Sequence, residues 1–376
     1  MSRRIAVVGA GPAGLALARV LHRNGHRAAV FERDPHPRAR SQGGTLDLHE
    51  GLGLLALEKA GLLEGFRALA RPEGQAMRIL DTDGTVLRDW RPRPGEEANP
   101  EIDRGDLRRL LLGPLDVQWG RAVAHAVPRP GGGALACFAD GHREAFDLVV
   151  GADGARSRVR AAVSAAVPHY TGVTMVESGL EDLDRDHPDL ARLIGDGSVA
   201  AYGPGRSLVA QRTSGGRAKV YAQFRTPQPE RTGARGAGPS AERERLLSLF
   251  DGWADPLLEL VRRGTSFVRR PLYTLPASHT WEHVPGVTLL GDAAHLMPPL
   301  GAGANLALLE GAELAEAVAG ADPSDPARLD AAMRGFEERM RERAAGWARI
   351  TTEGLQRLVG PDPAQALALF DGVHPS

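Results

Sequence analysis

The stretch Ile5-Ala-Val-Val-Gly-Ala-Gly-Pro-Ala-Gly14 decides the fold of this 376-residue chain. Its four leading apolar residues predict a buried parallel strand, and residues 12–24 carry apolar side chains at helical spacing. Between strand and helix, Gly9 permits a tight turn, Gly11 lets a pyrophosphate approach the backbone, and Gly14 lets the helix pack close to the strand. The free amides at the start of the helix, around Ala13, favour phosphate binding. Taken alone, the pattern is also compatible with a glycine-rich turn that binds nothing.

A second strand, residues 27–31, follows the helix and completes a βαβ unit. Glu32 closes this strand about 20 residues after the glycines, where a carboxylate accepts hydrogen bonds from a ribose diol. A carboxylate there repels a 2′-phosphate, so the pattern predicts FAD or NAD rather than NADP as the resident nucleotide. The alternative for Glu32 is a solvated charge at a strand end.

A second glycine turn lies almost three hundred residues further on, in Gly291-Asp-Ala-Ala-His295, Pro298-Pro299 and Gly301-Ala-Gly303-Ala-Asn305. A strand delivers Asp292 to a place where a ribityl hydroxyl donates to it. The glycines then open a helix whose amides favour the negative charge of the N1/C2=O edge of a reduced flavin. This motif favours FAD over NAD. The alternative is a strand–loop–helix crossover with Asp292 as a helix N-cap.

A third segment is Gly151-Ala-Asp153-Gly154, which follows another buried strand. Asp153 is placed to reach the cofactor pyrophosphate through water, or to receive an arginine that binds a reduced nicotinamide nucleotide. A purely structural turn, with Ser157 capping the next helix, is the alternative.

Between these motifs, residues 170–225 show short alternating segments that predict an antiparallel sheet. The predicted fold class is therefore α/β, with a Rossmann-like FAD-binding domain, an inserted, mostly antiparallel β substrate domain and a C-terminal helical region. We assign residues 1–70, 101–165 and 276–320 to the FAD-binding domain, 71–100 and 166–275 to the substrate-binding domain, and 321–376 to the C-terminal helices.

The amino-acid composition excludes several classes of protein function. The 46 Lys and Arg residues nearly balance the 47 Asp and Glu residues, so no charge excess indicates nucleic acid or an anionic membrane as a partner. A single cysteine excludes an internal disulfide framework and a CxxC redox centre, and no metal site is expected. The apolar run after Arg3 and Arg4 is broken by glycines and does not indicate a signal peptide. No apolar stretch of membrane-spanning length occurs, and we expect a cytoplasmic protein.

The three glycine-containing motifs together resemble the class A flavoprotein aromatic hydroxylases, which share the fold of para-hydroxybenzoate hydroxylase. The resemblance spans nearly the whole chain, and the motifs occur in the family's order. Further segments look like the tetracycline-inactivating flavin monooxygenases: residues 31–34, 37–40, 43–49, 60–63, 99–108 and 291–299.

The resemblance implies FAD contacts for Arg104 and Asp47. It also suggests Arg33 and Arg108, for which surface charge on a strand end and on a helix is the alternative. Together with the motif residues, the expected cofactor-binding set is Gly9, Gly11, Ala13, Gly14, Glu32, Arg33, Asp47, Arg104, Asp153, Asp292, Pro299, Gly301, Gly303 and Asn305.

The chain departs from the tetracycline-inactivating group where that group binds its drug. Lys219 stands where the group has a histidine, and Arg192 where it has a glutamine. Its second glycine turn reads Gly-Gln-Gly, whereas Gly301-Ala302-Gly303 is found here. Tetracycline inactivation therefore stays an alternative.

The activity that the resemblance implies is hydroxylation of an aromatic or polyketide-like small molecule, in antibiotic biosynthesis or resistance. NADPH or NADH reduces FAD and leaves, O2 adds to the reduced flavin, and the C4a-hydroperoxide transfers hydroxyl to an electron-rich carbon of the substrate. The fold then serves to orient the substrate and exclude water, and no catalytic side chain is required.

We expect the aromatic or polycyclic substrate to rest on the central sheet against Gln211, Lys219, Tyr221 and Gln223. Strand alternation places the last three on one face, and the alternative is that this face meets solvent. A flavin reductase or oxidase without oxygen insertion and a non-enzymatic FAD-binding module remain open, as do a monomer and a homodimer.

Overall fold

The computed structural model describes residues 3–93, 99–227, 238–322 and 325–371. The strands in chain order are β1 (Ile5–Val8), β2 (Ala28–Glu32), β3 (Thr45–Asp47), β4 (Met77–Leu80), β5 (Val86–Trp90), β6 (Glu101–Asp103), β7 (Val117–Trp119), β8 (Val123–Pro128), β9 (Ala134–Phe138), β10 (Arg143–Phe146), β11 (Leu148–Gly151), β12 (His169–Leu180), β13 (Ser198–Gly203), β14 (Arg206–Thr213), β15 (Arg217–Arg225), β16 (Val268–Thr274) and β17 (Val287–Leu289).

The α-helices are α1 (Pro12–Arg23), α2 (Gly53–Lys59), α3 (Leu63–Arg67), α4 (Arg104–Leu112), α5 (Leu183–Asp186), α6 (Pro188–Ile194), α7 (Pro239–Leu249), α8 (Asp255–Arg262), α9 (Asp292–His295), α10 (Ala302–Gly320), α11 (Pro326–Leu358) and α12 (Pro363–Leu367). Short 3₁₀ turns cover Pro72–Gln75 and Arg160–Ala162.

The N-terminal strand lies at the centre of a five-stranded sheet with the order β17-β11-β1-β2-β7. All four pairings are parallel. β1, β11 and β17 are buried along their whole length, which explains their unbroken apolar sequences. Because parallel strands end at the same edge, the segments that follow β1, β2, β11 and β17 converge there.

Helices α1 and α10 pack against each other on this sheet, although they come from opposite ends of the chain. A Cβ at Gly311 of α10 would overlap the carbonyl oxygen of Ala13 and lie 2.9 Å from the backbone nitrogen of Leu17. Only glycine permits this backbone contact. The contact places the beginning of α1 against the middle of α10.

The second large sheet has seven strands in the order β16-β12-β15-β14-β13-β4-β5. Its neighbours are antiparallel except for β4 and β13, which are parallel. On one face, side chains such as Val176, Val220 and Phe224 form a core with residues of α6, α7 and α8, including Phe250. The opposite face is packed in part by the C-terminal helices, through Leu355 and Val359 beside Val173 and through Ala366 beside Tyr202.

The predicted fold class is confirmed by this architecture: a parallel Rossmann-like sheet, a mostly antiparallel inserted sheet and C-terminal helices. The strands of the two sheets fall within the residue ranges assigned to the two domains, and the domain boundaries remain a proposal. The assigned ranges include residues 1–2, 94–98, 228–237, 323–324 and 372–376, which lie outside the described residues. Among the described helices, none combines the length and apolar character needed to cross a bilayer.

Candidate functional site

The N-terminal glycine turn is shaped by contacts on two of its glycines. Gly9 has φ +108°, and its amide donates to the carbonyl of Phe31 at 2.8 Å. A Cβ at Gly14 would overlap the Gly9 carbonyl oxygen, so helix and turn are in backbone contact. Gly11 differs, because among the described residues no atom beyond its neighbours lies within 4 Å of a Cβ position there. It is the N-cap of α1, whose first turn holds no acidic residue, so its amides suit a phosphate.

Glu32 is buried at the end of β2, beside this turn. One carboxylate oxygen accepts from the amide of Ala10 at 2.8 Å and the other from the amide of Asp34 at 3.0 Å. A carboxylate has lone pairs for about four such bonds, so Glu32 retains acceptor capacity for a ribose diol. Arg33, the next residue, is exposed, which agrees with the alternative that it is a surface charge at the strand end.

Arg108 of α4 is buried, contrary to its alternative as a surface charge. Its Nε donates to the carbonyl of Ala10 at 3.2 Å and Nη1 to that of Pro37 at 2.9 Å. Its Nη2 is buried and makes no hydrogen bond within the described part of the chain. Burial lowers the pKa of Arg108, and Glu32 partly opposes this. The carboxylate oxygen nearest to this nitrogen is Asp34 Oδ2 at 4.0 Å, beyond hydrogen-bond distance, so a buried donor next to the glycine turn is available to a phosphate oxygen.

Asp153 caps the turn that follows β11. Its carboxylate accepts from the Ser157 hydroxyl and the Arg158 amide, both at 2.6 Å. This arrangement is the turn-and-cap alternative of the sequence analysis. Sequence reasoning missed Arg160, which is buried and donates to the carbonyls of Ala293 at 2.8 Å and Asp292 at 3.0 Å. Arg160 therefore ties the second glycine-containing segment to the third.

Asp292 follows β17 as the first residue of α9, and Gly291 occupies the N-cap position. Asp292 makes no capping bond, so its alternative as an N-cap is not found. Its side chain is exposed, although protein surrounds it on most sides, which describes a carboxylate in a concave surface. Burial raises its pKa, and His295 and Arg104 partly oppose that rise.

Arg104 begins α4, directly after β6, and its Cδ packs 3.3 Å from where a Cβ would stand on Gly43. Its charge acts on both Asp292 and Tyr221. Within residues 3–93, 99–227, 238–322 and 325–371, its guanidinium has no hydrogen bond or ion pair. Five N–H groups are thus available to a ligand between these two side chains.

The second glycine turn is held by Asn305, whose side chain is fully buried. Its Oδ1 accepts from the amides of His49 at 2.9 Å and Gly53 at 3.2 Å, and its Nδ2 donates to the carbonyls of Asp47 at 2.8 Å and Gly301 at 3.1 Å. All four hydrogen bonds of the amide are used inside the protein. Asn305 therefore acts as a positioning residue for this turn.

Gly301 is the N-cap of α10, and the first turn of that helix holds no acidic residue. A Cβ at Gly301 would lie 3.6 Å from an Asp47 carboxylate oxygen, whose partner is the His49 Nε2 at 2.8 Å. Pro299 is exposed and Gly303 half-buried, whereas Ala13 is buried beneath the turn near Gly291. The two glycine turns predicted from the sequence thus lie at the beginnings of two helices that pack against each other, α1 and α10.

A buried ion pair that sequence analysis left aside supports the same turn. Glu310 of α10 is fully buried and accepts from the amide of Gly291 at 2.9 Å and from His295 Nε2 at 2.6 Å. Burial acts to lower the pKa of His295, but Glu310 outweighs it, and the net direction is upward. His295 is therefore bonded to a buried carboxylate beside Asp292. A histidine three residues before a pair of prolines gave no signal for this pairing.

The four predicted substrate residues lie on the face of the seven-stranded sheet away from α6 to α8. A Cβ at Gly44 would lie 2.9 Å from Gln211 Oε1 and 3.5 Å from Lys219 Cγ, and it would overlap the Tyr221 hydroxyl. Gln223 stands next on this face, opposite Met175 of β12. This face of the sheet therefore contacts the loop before β3 and is not wholly exposed to solvent. Burial raises the pKa of Tyr221 to about 12.

Gln211 is engaged by the β3–β6 ribbon. Its Oε1 accepts from the amide of Thr45 and its Nε2 donates to Glu101, both at 3.3 Å. Glu101 also accepts from the Thr45 hydroxyl at 2.7 Å and lies 3.4 Å from an Arg71 nitrogen. Burial raises the pKa of Glu101 to about 7. Gln211 therefore joins the inserted sheet to the strand that carries Asp47.

The chain is similar to known flavoproteins over almost its whole length. The family model described as "FAD binding domain" matches residues 3–339. Monooxygenase penA of Penicillium thymicola is 34% identical, over 94% of either chain. The 3-amino-4-hydroxybenzoate 2-monooxygenase of Streptomyces cremeus is 32% identical, over 81% of this chain and 76% of that protein.

Solved structures show the same fold. HpxO of Klebsiella pneumoniae, complexed with FAD and uric acid, superposes with a TM-score of 0.80 at 22% identity, covering 98% of this chain and 92% of HpxO. Tetracycline destructase Tet(51) superposes with a TM-score of 0.68 at 20% identity, covering 94% and 89%. The resemblance to class A flavin monooxygenases, with tetracycline-inactivating enzymes among the neighbours, is confirmed.

The chain belongs to the FAD-binding domain family and, within it, to the FAD-dependent monooxygenases. It is an oxidoreductase and its cofactor is FAD. Three features fit this cofactor: the free side of Gly11, the Arg108 nitrogen that makes no hydrogen bond, and the exposed carboxylate of Asp292. They offer room, a donor and an acceptor around the two glycine turns.

Proposed function

We propose that the protein uses NADPH or NADH as electron donor and O2 as co-substrate to hydroxylate an aromatic or polyketide-like small molecule. One observation carries the proposal: Arg104 acts on Asp292 of the cofactor motif and on Tyr221 of the inserted sheet. The proposed cofactor residues and substrate residues therefore line one region.

The proposed cofactor contacts follow the chemistry of FAD. The amides at the start of α1 and the Arg108 guanidinium bind the pyrophosphate, and Glu32 accepts from the adenosine ribose. Asp292 accepts from a ribityl hydroxyl, and the amides at the start of α10 face the flavin N1/C2=O edge. FAD, when bound, supplies hydride acceptance and oxygen activation.

The proposed substrate contacts come from the opposite side of the region. The Tyr221 hydroxyl lies against the backbone of Gly44. Because burial raises its pKa to about 12, the hydroxyl stays protonated and donates a hydrogen bond to an acceptor on the substrate. Lys219 and Gln223 extend the same face. Leu300, next to the second glycine turn, packs against α11 with its Cδ1 2.9 Å from a Cβ position on Gly354.

The relatives' names support aromatic substrates. One is named for 3-amino-4-hydroxybenzoate and one structure contains uric acid, both planar ring compounds. The tetracycline destructase structure has a lower TM-score than HpxO, and the substrate face here carries Lys219 in place of a histidine. We therefore place aromatic hydroxylation first and keep tetracycline inactivation as one arm of the test.

The test is oxygen uptake by the FAD-loaded enzyme with NADH or NADPH and a panel of phenols, aminohydroxybenzoates and tetracyclines. We expect coupled NAD(P)H and O2 consumption and a product one oxygen atom heavier than its substrate, labelled from ¹⁸O2. NAD(P)H oxidation with hydrogen peroxide as the only product across the panel would favour a reductase or oxidase. FAD binding without any turnover would favour a non-enzymatic FAD-binding module.

A further inference from the structure

The imidazole of His295 in α9 has two ring nitrogens with different surroundings. The side chain is 10% exposed, and its Nε2 is bonded to the carboxylate of Glu310 at 2.6 Å. Its Nδ1 is buried and makes no hydrogen bond within the described part of the chain. One nitrogen is therefore fixed by the protein, and the other has no partner in it.

His295 lines a narrow crevice between α9 and α11. Trp281 lines the same crevice, and its Nε1 is a second buried nitrogen that makes no hydrogen bond among the described residues. The exposed Pro276 and the half-buried Ala345 also line the crevice, which therefore reaches solvent. The volume open to the centre of a water molecule is about 10 Å³, so the crevice admits water.

The two nitrogens determine how a water in this crevice is oriented. Trp281 Nε1 only donates, so a water beside it accepts from the indole and directs its own hydrogen elsewhere. A neutral His295 that donates through Nε2 to Glu310 carries a lone pair on Nδ1. The water therefore acts as a proton donor to His295, and protonation of Nδ1 converts the ring to its charged form.

Two carboxylates act on this ring, Glu310 from α10 and Asp292 from α9. Burial lowers the pKa of His295, but the two carboxylates outweigh it, and the net direction is upward. With a neutral ring, the buried group of three carries two negative charges. A proton on His295 reduces this to one.

The other charged groups around His295 do not replace it as a proton acceptor. His279 lines the same crevice, but its Nε2 is bonded to the Ser164 hydroxyl at 2.9 Å and its Nδ1 to the Ala294 carbonyl at 2.7 Å. Burial lowers the pKa of His279. Arginines stay charged at every working pH. Those that act on Asp292, Glu310 or His279 are Arg104, Arg160, Arg341 and Arg343.

We propose that His295 is a redox-linked proton site, at which Nδ1 accepts one proton from water in the crevice when FAD is reduced and releases it when FAD is reoxidised. The physical reason is charge: reduction adds negative charge to the flavin near Asp292, and a proton on the neighbouring imidazole offsets it. The proposal rests on the contact of Asp292 with FAD in the proposed function, and it does not depend on the substrate.

The proton balance of this step is simple. The Nδ1 lone pair forms the new N–H bond, the crevice water gives up a proton and regains one from solvent, and the electrons come from the reductant of FAD. Asp292 is not among the described residues that line the crevice, so the proton arrives from the α11 side and not across the cofactor surface.

The experiment measures the midpoint potential of bound FAD against pH by spectroelectrochemistry, without NAD(P)H or substrate. One proton taken up per two electrons changes the equilibrium constant tenfold per pH unit, which is about 30 mV, and two protons change it a hundredfold, which is about 59 mV. We scan about pH 6 to 10, from near the ordinary histidine pKa upward. We expect wild type to have a range whose slope exceeds that of H295Q by up to about 30 mV per pH unit, because glutamine keeps a donor for Glu310 but does not titrate.

Two further variants separate His295 from its surroundings. E310Q removes the anion that favours the charged ring, so the steep range should move to lower pH. H279Q is the matched control, because it changes a histidine of the same crevice whose two nitrogens are already bonded. It should keep the slope of wild type.

Three results would overturn the proposal: equal slopes for wild type and H295Q over the whole range, a steep range that H279Q removes and H295Q retains, and a steep range that E310Q does not shift. H295N takes the place of H295Q if that variant does not retain FAD. Because an electrode supplies the electrons, a failure of NAD(P)H oxidation or of oxygenation leaves the measurement intact. Oxygenation by a protein whose potential shows no dependence on His295 would reject this inference and leave the proposed function standing.

Discussion

Two glycines three residues apart in the first turn have opposite surroundings, so their substitution separates folding from cofactor binding. In G14A the new methyl group overlaps the Gly9 carbonyl oxygen and lies 3.1 Å from Val7 Cγ1. Overpacking of this kind costs about 1–3 kcal/mol, and we expect a lower unfolding midpoint of the apoprotein. In G11A the methyl group meets no protein atom within 4 Å among the described residues. We expect apoprotein stability within about 1 kcal/mol of wild type but at least tenfold weaker FAD binding.

Thermal unfolding of the apoprotein and titration with FAD measure the two effects. G11A protein that binds FAD as tightly as wild type would remove the argument that the pyrophosphate passes over this residue.

Glu101 gives a pH dependence whose sign follows from its environment. Its carboxyl has an ordinary pKa of 4.5 when unfolded and a pKa of about 7 when folded. Between these values the folded chain holds one more proton than the unfolded chain, so stability falls as the pH rises from 4.5 to 7. The full difference is on the order of 3 kcal/mol. We expect E101Q to flatten the dependence of the unfolding midpoint on pH across that range.

The exposed residue Glu58 provides the matched control, because E58Q removes a carboxylate of ordinary environment. An E101Q protein whose midpoint still declines with pH as steeply as wild type would show that another group causes the dependence.

The sequence predicted some contacts of the candidate site and missed others, and the difference has a physical reason. Gly9, Gly14 and Glu32 act within one βαβ unit, so their spacing along the chain already implies their proximity. The bonds of Arg160 to the segment after β17 and of Asn305 to the loop after β3 join parts of the chain that no local pattern connects. Asn305 was expected at the cofactor, but its fully used amide shows that it holds the turn.

Helix α11 is joined to the five-stranded sheet by a buried histidine between two carboxylates. His283 Nδ1 lies 3.0 Å from Glu337 and Nε2 lies 2.7 Å from Asp330. Glu337 is fully buried and also accepts from the Thr288 hydroxyl of β17 at 2.8 Å. Both ring nitrogens of His283 therefore have a carboxylate partner, one on each side.

H283A leaves the buried Glu337 carboxylate without its histidine partner, which costs about 1–3 kcal/mol. We expect a lower midpoint in urea and faster amide exchange in residues 326–340. The exposed His125 serves as control, and H125A should stay within about 0.5 kcal/mol of wild type. A loss below 1 kcal/mol in H283A would mean that α11 is held by apolar packing alone.

Elements with strong local periodicity were predicted with nearly their observed bounds. Examples are β1, predicted over residues 5–8, and α1, predicted over residues 12–24. The parallel pairing of β4 with β13 was not foreseen, since the sequence analysis expected an antiparallel sheet. The two strands are far apart in the chain, and alternation determines which face is buried but not the direction of a distant neighbour. For the same reason the orientation of the Lys219 face stayed open until contacts with Gly44 were seen.

The cofactor should stabilise the whole molecule, because its proposed contacts come from the beginning, middle and end of the chain. A ligand that binds only the folded state adds about 4 kcal/mol at a thousandfold excess over its Kd. We expect FAD to raise the thermal midpoint of the apoprotein with a single shared transition, since Gln211 and Glu101 join the seven-stranded sheet to the β3–β6 ribbon that carries Asp47.

Calorimetric scans with and without FAD measure this effect, and riboflavin, which lacks the pyrophosphate and adenosine, is the control that should give a smaller shift. A folded, colourless protein whose thermal midpoint does not change in excess FAD would contradict the assignment of FAD as the cofactor and the residue contacts proposed for it.

The contact between Gly311 and the backbone of α1 bears on how the protein is made. A ribosome releases the first glycine turn hundreds of peptide bonds before α10, so during synthesis α1 has no partner for the surface that later receives that helix. The dinucleotide pocket is consequently finished late, only after α10 has emerged. Any nascent fragment ending before residue 320 exposes an apolar helix side and is a natural client for chaperones.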